Sequence, residues 1–506
     1  MKVGKIVGGI FGGALILAIG LLIGYVGISK TSTPSWAIDL SKDVDEAFIQ
    51  EFMKEVSSTN IRENLRTLSQ SPHMATTKGD EETVQMILKQ WKDPDSGLDE
   101  AKEERYDVYL SFPRADKPNN VQVVSSGGKM LFESQLTEKD VEEDQRDPDV
   151  VKPYAAYAPE GHPKGKLVYA NQGTMSDFET LNKTIDLTGT IAIVRYGGAG
   201  RSTKAINAAK FGVIGLIVYT DPMDINDGVV DESRTYPNSW YMPPSGVERG
   251  SYVESFGDLL TPYYPAKNFT YRKDENDIQG CPPIPTQPIG FGDAEKLICQ
   301  LNGAAASSTW QGALNCTYNI GPGFHPDGNY SDSVVQVNVN NYAEIKSSAN
   351  VMGIIRGSVE PDRYILYGNH RDSWVHGAID PSSGTAVMLE ITKILGTKVK
   401  EGKWRPRRTI IFGSWGAEEF GLIGSTEFAE DYYSKLRDRT AAYINVDISV
   451  FANATLRAQG TPPVQNVIFT AAKQVKTPIS PSLSVYDNWI RYFNRTSSLY
   501  GKLVPQ

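Results

Sequence analysis

Short apolar runs separated by amphipathic stretches dominate the chain from residue 164 onward. Lys166–Ala170, Ile191–Arg195 and Gly215–Tyr219 predict buried strands, and 201–211, between the last two, predicts a helix. A second series starts near 348. Asn350–Ile355, Tyr364–Gly368, Ile410–Gly413 and Ala441–Val446 have strand length and composition. Between them, Ser383–Gly396 carries Val387, Ile391, Ile394 and Leu395 on one helical face. Strand–helix–strand order predicts an α/β fold with a largely parallel sheet. Upstream, Val44–Leu68 predicts one helix, with Phe48, Phe52 and Val56 at helical spacing. Residues 95–105 and 133–149, the latter with Glu142-Glu143-Asp144, predict acidic solvated loops, and 221–330, rich in Pro, Gly, Tyr and Asn, predicts a loop-heavy region.

One stretch breaks this pattern. Ile6–Ser29 is 24 residues without a charge, preceded by Lys2 and Lys5. At about 1.5 Å per residue it reaches across a hydrocarbon layer of roughly 30 Å. The flanking lysines predict a cytoplasmic tail at 1–5, a signal anchor at 6–29 and a stalk at 30–45, with the rest of the chain outside the plasma membrane in type II orientation. Six N-x-[ST] sequons, at Asn182, Asn268, Asn315, Asn329, Asn453 and Asn494, all lie downstream of the run and agree with that topology. Cys281, Cys299 and Cys316 allow one disulfide and a spare thiol, with the pairing open. With 51 basic and 60 acidic residues the net charge is −9, which argues against nucleic acid as a partner.

Polar clusters follow the predicted strands, where open α/β sheets bind ligands. Asn369-His370-Arg371-Asp372-Ser373 and Gly377-Ala378-Ile379-Asp380-Pro381 follow one strand. Ser414-Trp415-Gly416-Ala417-Glu418-Glu419-Phe420-Gly421 follows the next, and Asp447 follows the third. An imidazole and several carboxylates at one mouth suit Zn²⁺, which takes His nitrogen and carboxylate oxygen at about 2.0–2.2 Å. In the Glu418-Glu419 pair one carboxylate can ligate while the other stays off the metal as a general base. A lone histidine or a lone Glu-Glu pair is more often plain surface, and only the convergence of all three clusters makes a metal site the better reading.

These stretches, His370-Arg-Asp-Ser-Trp, Gly377-Ala-Ile-Asp380-Pro, Arg405 through Glu430 and Ala442-Tyr-Ile-Asn-Val-Asp447, resemble the glutamate carboxypeptidase II (N-acetylated-alpha-linked acidic dipeptidase) branch of the M28 metallopeptidases, in the transferrin-receptor-like superfamily. The resemblance implies a peptidase domain split over 46–108 and 345–506, with a protease-associated (apical) domain inserted at 109–344. It implies two zincs: Asp380 bridges, His370 and Asp447 complete one site, Glu419 serves the other, and Glu418 is the base. Asp372 would orient the ligand imidazole. Thr261 and Tyr264 (in Leu-Thr-Pro-Tyr-Tyr-Pro-Ala) with Glu427 and Glu430 match a structural Ca²⁺ site. Arg201 and Arg457 match arginines that bind substrate carboxylates, so the expected substrate is a peptide with a C-terminal glutamate or another acidic residue. Phe451 and Gln459 stand where the family has acidic residues, which weakens that substrate preference. The family's remaining zinc ligand, a histidine about 100 residues beyond Asp447, has no counterpart here, since the last histidine is His376. The expectation is therefore a C-terminally truncated family member without the helical domain, with low activity and weakened dimerisation. The alternative is a non-catalytic, receptor-like ectodomain.

Overall fold

The computed structural model describes residues 45–141, 146–451, 454–478, 480–496 and 503–505, together with Leu17 and Gly20. The expected tail, nearly all of the anchor and stalk, Glu142-Glu143-Asp144 and Asn453 lie outside the described residues. Among the described residues no helix is long and apolar enough to cross a membrane.

A five-stranded sheet carries the candidate site. Its order is Glu100–Pro113, Asn341–Ile355, Arg408–Trp415, Glu360–His370, Thr440–Asn445. The two pairings made by Glu360–His370 are parallel and the other two are antiparallel, so the sheet is mixed rather than largely parallel. The reason is connectivity: only the last three strands are joined through helices, and only such crossovers produce parallel neighbours. Helix Ser382–Lys400 packs Ala386, Met388 and Leu389 into a core shared with Trp91, Val351 and Phe412.

Two further expectations need correction. Val44–Leu68 is not one helix but two, Glu46–Glu55 and Ser58–Leu68. Ser57 interrupts it: its hydroxyl accepts the Asn60 N–H at 3.2 Å, which favours a new N-terminus over continuation. The expected acidic loop at 95–105 is half strand, because Glu100–Pro113 pairs residue by residue with Asn341–Ile355. The charges of Glu100, Lys102, Glu103 and Arg105 obscure the alternation that buries Tyr106, Val108, Leu110 and Phe112. This ladder is also the stem of the inserted region. Val108 pairs with Lys346, so the chain leaves the five-stranded sheet and returns to it side by side.

Within the insertion, Leu167–Tyr169, Ile191–Arg195, Gly215–Tyr219 and Thr286–Pro288 form a parallel sheet, with helix Arg201–Lys210 between two of its strands. The region 221–330 is loop-rich as expected but contains helix Phe291–Ile298, which buries Phe291, Ala294, Leu297 and Ile298. Cys299 and Cys316 form a disulfide, and Cys281 is a free, half-buried thiol.

Candidate active site

His370 is the last residue of the central parallel strand, and its neighbours in register are Trp415 on one side and, two residues earlier, Gly368 against Asn445 on the other. Three strand ends are therefore level, and the loops that follow them meet. His370 Nε2 lies 3.1 Å from Asp380 Oδ1 and 3.0 Å from Asp447 Oδ1, with Glu418 Oε2 at 3.6 Å. Asp380 reaches in from the loop before helix Ser382–Lys400, and Asp447 from just past Thr440–Asn445. The imidazole is buried, and its other nitrogen, Nδ1, is 2.9 Å from the Asp372 carbonyl. Burial pushes the His370 ring pKa down, but the carboxylates of Asp372, Asp380, Asp447 and Glu418 outweigh it and hold it well above the usual histidine range.

This donor set fits a metal ion. One nitrogen and two carboxylate oxygens lie within 4.8 Å of one another. Tetrahedral zinc with bonds of about 2.0–2.2 Å separates its ligand atoms by about 3.3–3.6 Å, close to the spacings seen. Asp447 Oδ1 is buried and makes no hydrogen bond although it sits beside the ring, as expected of an oxygen aimed at a cation rather than at a donor. The Nδ1 contact to a carbonyl leaves Nε2 as the ligating nitrogen.

Glu418 and Glu419 follow Trp415 in a turn where Ala417 has φ 51°. Their main-chain N–H groups donate to the fully buried Asp372 carboxylate, Glu418 to Oδ1 at 2.9 Å and Glu419 to Oδ2 at 3.2 Å. The Asp372 carboxylate thus fixes the glutamate pair, while its carbonyl, not its carboxylate, holds the imidazole; Oδ1 to Nδ1 is 3.7 Å. Burial pushes the Asp372 pKa up, but the His370 ring, the Glu418 N–H and Arg371 outweigh it and hold the carboxyl below its usual range. Burial raises Glu418 to about 7, with His370 opposing and Asp372, Asp447 and Asp380 adding to the rise. Glu419 is raised well above the carboxylate range, also chiefly by burial. Its carboxylate stands outside the His370–Asp380–Asp447 group.

Sequence reasoning missed three supports. The buried Asn369 side-chain amide donates to the carbonyls of Val446 at 3.0 Å, Pro381 at 3.3 Å and Asp447 at 3.3 Å, so it ties the two aspartate loops together. Its position before His370 was visible, but nothing in the sequence tells which way an amide points. Arg371 and Asp80 pair at 2.9 Å, both buried, behind the strand end. Ser251, from the inserted domain, donates to the Glu419 carbonyl at 2.6 Å.

Residues 350–491 match the model of peptidase family M28, and 163–253 match the PA domain. A mouse protein named aminopeptidase NAALADL1 is 58% identical over 504 residues, covering 99% of this chain and 68% of the relative. The chain belongs to the M28 peptidase family. A Caenorhabditis elegans glutamate carboxypeptidase 2 homolog is 36% identical over 470 residues, covering 90% of this chain and 60% of its own. Among solved structures, a zinc aminopeptidase from Bacillus subtilis superposes with TM-score 0.48 at 18% identity, over 83% of this chain and 77% of the other.

The remaining expected residues of this M28 peptidase fall in three places. Glu427 is fully buried and accepts the N–H groups of Asp258 at 2.8 Å and Ala266 at 2.6 Å. Thr261 donates to Asp258 at 2.8 Å, so Asp258, which the sequence did not single out, joins this group. Burial raises Glu427 to about 8 and Glu430 to about 7, and Glu430 Oε2 is buried without a hydrogen-bond partner. Tyr264 turns its side chain to solvent, and its N–H bonds the Thr261 carbonyl. Arg201 opens helix Arg201–Lys210 and pairs with Glu248. Arg457 is exposed, 4.8 Å above the Phe451 ring. The asparagines of the five described sequons are all exposed.

Proposed function

We propose that this M28 peptidase is a zinc-dependent exopeptidase that works on peptide ends at the mouth formed by His370, Asp380, Asp447 and Glu418. The observation that carries this reading is the convergence of His370 Nε2 on two aspartate oxygens at 3.0–3.1 Å with Glu418 at 3.6 Å. His370, Asp380 and Asp447 would hold one zinc, with Glu419 and the second arm of Asp380 serving a neighbouring one. Zinc bound there supplies a Lewis acid for the scissile carbonyl and lowers the pKa of the attacking water. Glu418 accepts the proton of that water and returns it to the leaving amine nitrogen. Asp372 holds the glutamate pair through their N–H groups, and Asn369 holds the two aspartate loops in register.

Two readings of the substrate end compete. Arg201 and Arg457 support peptides with a C-terminal glutamate or other acidic residue, because guanidinium forks match carboxylates. Release of an N-terminal residue is favoured by the Arg201–Glu248 pair, which occupies one of those forks, and by the name of the mouse relative. A matched assay separates them: cleavage of an N-acetylated acidic dipeptide supports the first, and cleavage of only its free-amine counterpart supports the second. Cleavage of neither by the zinc-loaded chain supports the non-catalytic alternative.

Ca²⁺ at Thr261, Tyr264, Glu427 and Glu430, with Asp258 beside them, belongs to the same proposal, since hard cations take oxygen ligands and Glu430 Oε2 is buried without a donor. So does a type II protein with the peptidase outside the plasma membrane, supported by the Ile6–Ser29 run and the exposed sequons. A glycosidase that leaves gel mobility unchanged would count against that location. Homodimerisation is tested by sedimentation of the ectodomain.

A further inference from the structure

The Arg201 guanidinium does not stand open. Its Nη2 donates to Glu248 Oε1 at 2.8 Å, and both side chains are about 40% exposed, at 40% and 41%. Glu248 is held in place by its own main chain: its carbonyl accepts the Tyr196 hydroxyl at 3.0 Å, and that hydroxyl is 2.8 Å from the hydroxyl of buried Tyr252. Arg201 lies over the Tyr196 ring, 5.9 Å from its centre, and passes so close to Gly250 that a Cβ there would come within 2.5 Å of Nε. The residue after Gly250 is Ser251, whose hydroxyl holds the Glu419 carbonyl. The backbone against which Arg201 packs is thus one residue from a direct hydrogen bond to the Glu419 main chain.

We propose that Glu248 is a specificity-determining residue that competes with substrate carboxylates for Arg201. This rests on the reading of Arg201 as a carboxylate-binding residue. A guanidinium has five N–H donors, and Glu248 takes one of the two on Nη2, the nitrogen on which either bidentate approach of a carboxylate draws. An incoming acidic ligand must displace Glu248 or bind beside a like charge. The pair is part-exposed, so its own strength is modest and displacement is feasible. Neutralising Glu248 removes both the competitor and the repulsion. Together they predict about a five- to tenfold gain in affinity for a dicarboxylate. A neutral ligand of the same shape meets neither effect.

The experiment measures binding of glutarate, and of glutaramide as the neutral control, to the full chain by calorimetry. Glu248→Gln should bind glutarate about five- to tenfold tighter than the unmodified chain, with glutaramide unchanged and the gain reduced by high salt. Glu248→Ala should do the same, and far-ultraviolet circular dichroism checks that both variants fold. Adding Arg201→Gln should erase the gain. Equal glutarate affinity, weaker affinity, or no binding in either Glu248 variant would overturn the proposal. If Arg201→Gln alone weakens glutarate binding while the Glu248 variants gain nothing, only the competitor role fails. If Arg201→Gln binds glutarate as the unmodified chain does, the reading of Arg201 itself fails.

Discussion

The fully buried carboxylate of Asp372 accepts the main-chain N–H of Glu418 at 2.9 Å, so the residue two places after His370 sets where the proposed base sits. The other oxygen does the same for Glu419. Asp372→Asn keeps the size but turns one acceptor into a donor facing an N–H. One buried amide loses its partner, at a cost of about 1–3 kcal/mol. Urea unfolding should show that loss, and zinc affinity should fall about 10–100-fold, as for other groups that support metal ligands. Unchanged stability and zinc affinity would remove Asp372 from this role.

Asn369→Ala should have a related but separable effect. The amide bridges Pro381 with Val446 and Asp447, and the carbonyl end accepts the Thr385 hydroxyl. Its loss leaves the two aspartate loops joined through Ser449, whose N–H donates to Ser383 Oγ at 3.1 Å and whose hydroxyl donates to the Ser383 carbonyl at 2.8 Å, and so loosens them without separating them. The expected outcome is weaker zinc binding, by about tenfold or more, with faster amide exchange at 446–447. Gly384→Ala should act on the same loop from the opposite side. A Cβ there collides with the Val446 and Asp447 carbonyls, an overpacking that costs about 1–3 kcal/mol.

The parts of this site that sit on strand ends were legible in the sequence, because apolar runs of strand length announced themselves and His370, Glu418 and Asp447 follow them directly. Asp380 was legible from the polar cluster that follows the first of these strands and from the resemblance. The supports were not. Asn369, Arg371–Asp80 and Ser251–Glu419 join residues far apart in the chain, and local pattern carries no information on such pairs. The antiparallel strand Glu100–Pro113 was missed at its charged start for a related reason: its long ladder with Asn341–Ile355 outweighs a poor local propensity.

Lys204 predicts a pH effect in the inserted domain. Its side chain is buried, and the ammonium donates to the carbonyls of Gln172 and Gly197. Burial lowers its pKa from 10.5 to about 8, with Asp177 and Glu248 opposing. Between those values the unfolded chain holds the proton that the folded one has lost, so this group makes stability rise with pH from about 8 to about 10.5. The full effect is bounded at about 3 kcal/mol. Comparing Lys204→Met with the unmodified chain at pH 7.5 and pH 10 isolates it from the tyrosines. The difference in unfolding free energy should move in favour of the lysine form at the higher pH, and a difference independent of pH would contradict the assignment.

Removal of calcium should lower the melting temperature. Burial raises the pKa values of both Glu427 and Glu430, and a cation among them would offset the burial of their charges. A chelator selective for Ca²⁺ should therefore destabilise the chain, and added Ca²⁺ should restore it. Glu430→Gln should abolish the response. A melting temperature indifferent to both additions would rule out this cation site.

In the proposed site His370, Asp380 and Asp447 hold zinc while Glu418 stands beside the metal as the base. Zinc stoichiometry and affinity, measured on the full chain and on the Glu418→Gln and Asp447→Ala variants, separate these two roles. The unmodified chain and Glu418→Gln should bind zinc alike, whereas Asp447→Ala should lose at least about tenfold in affinity. Full zinc binding by Asp447→Ala, or its loss in Glu418→Gln, would contradict the assignment of ligand and base.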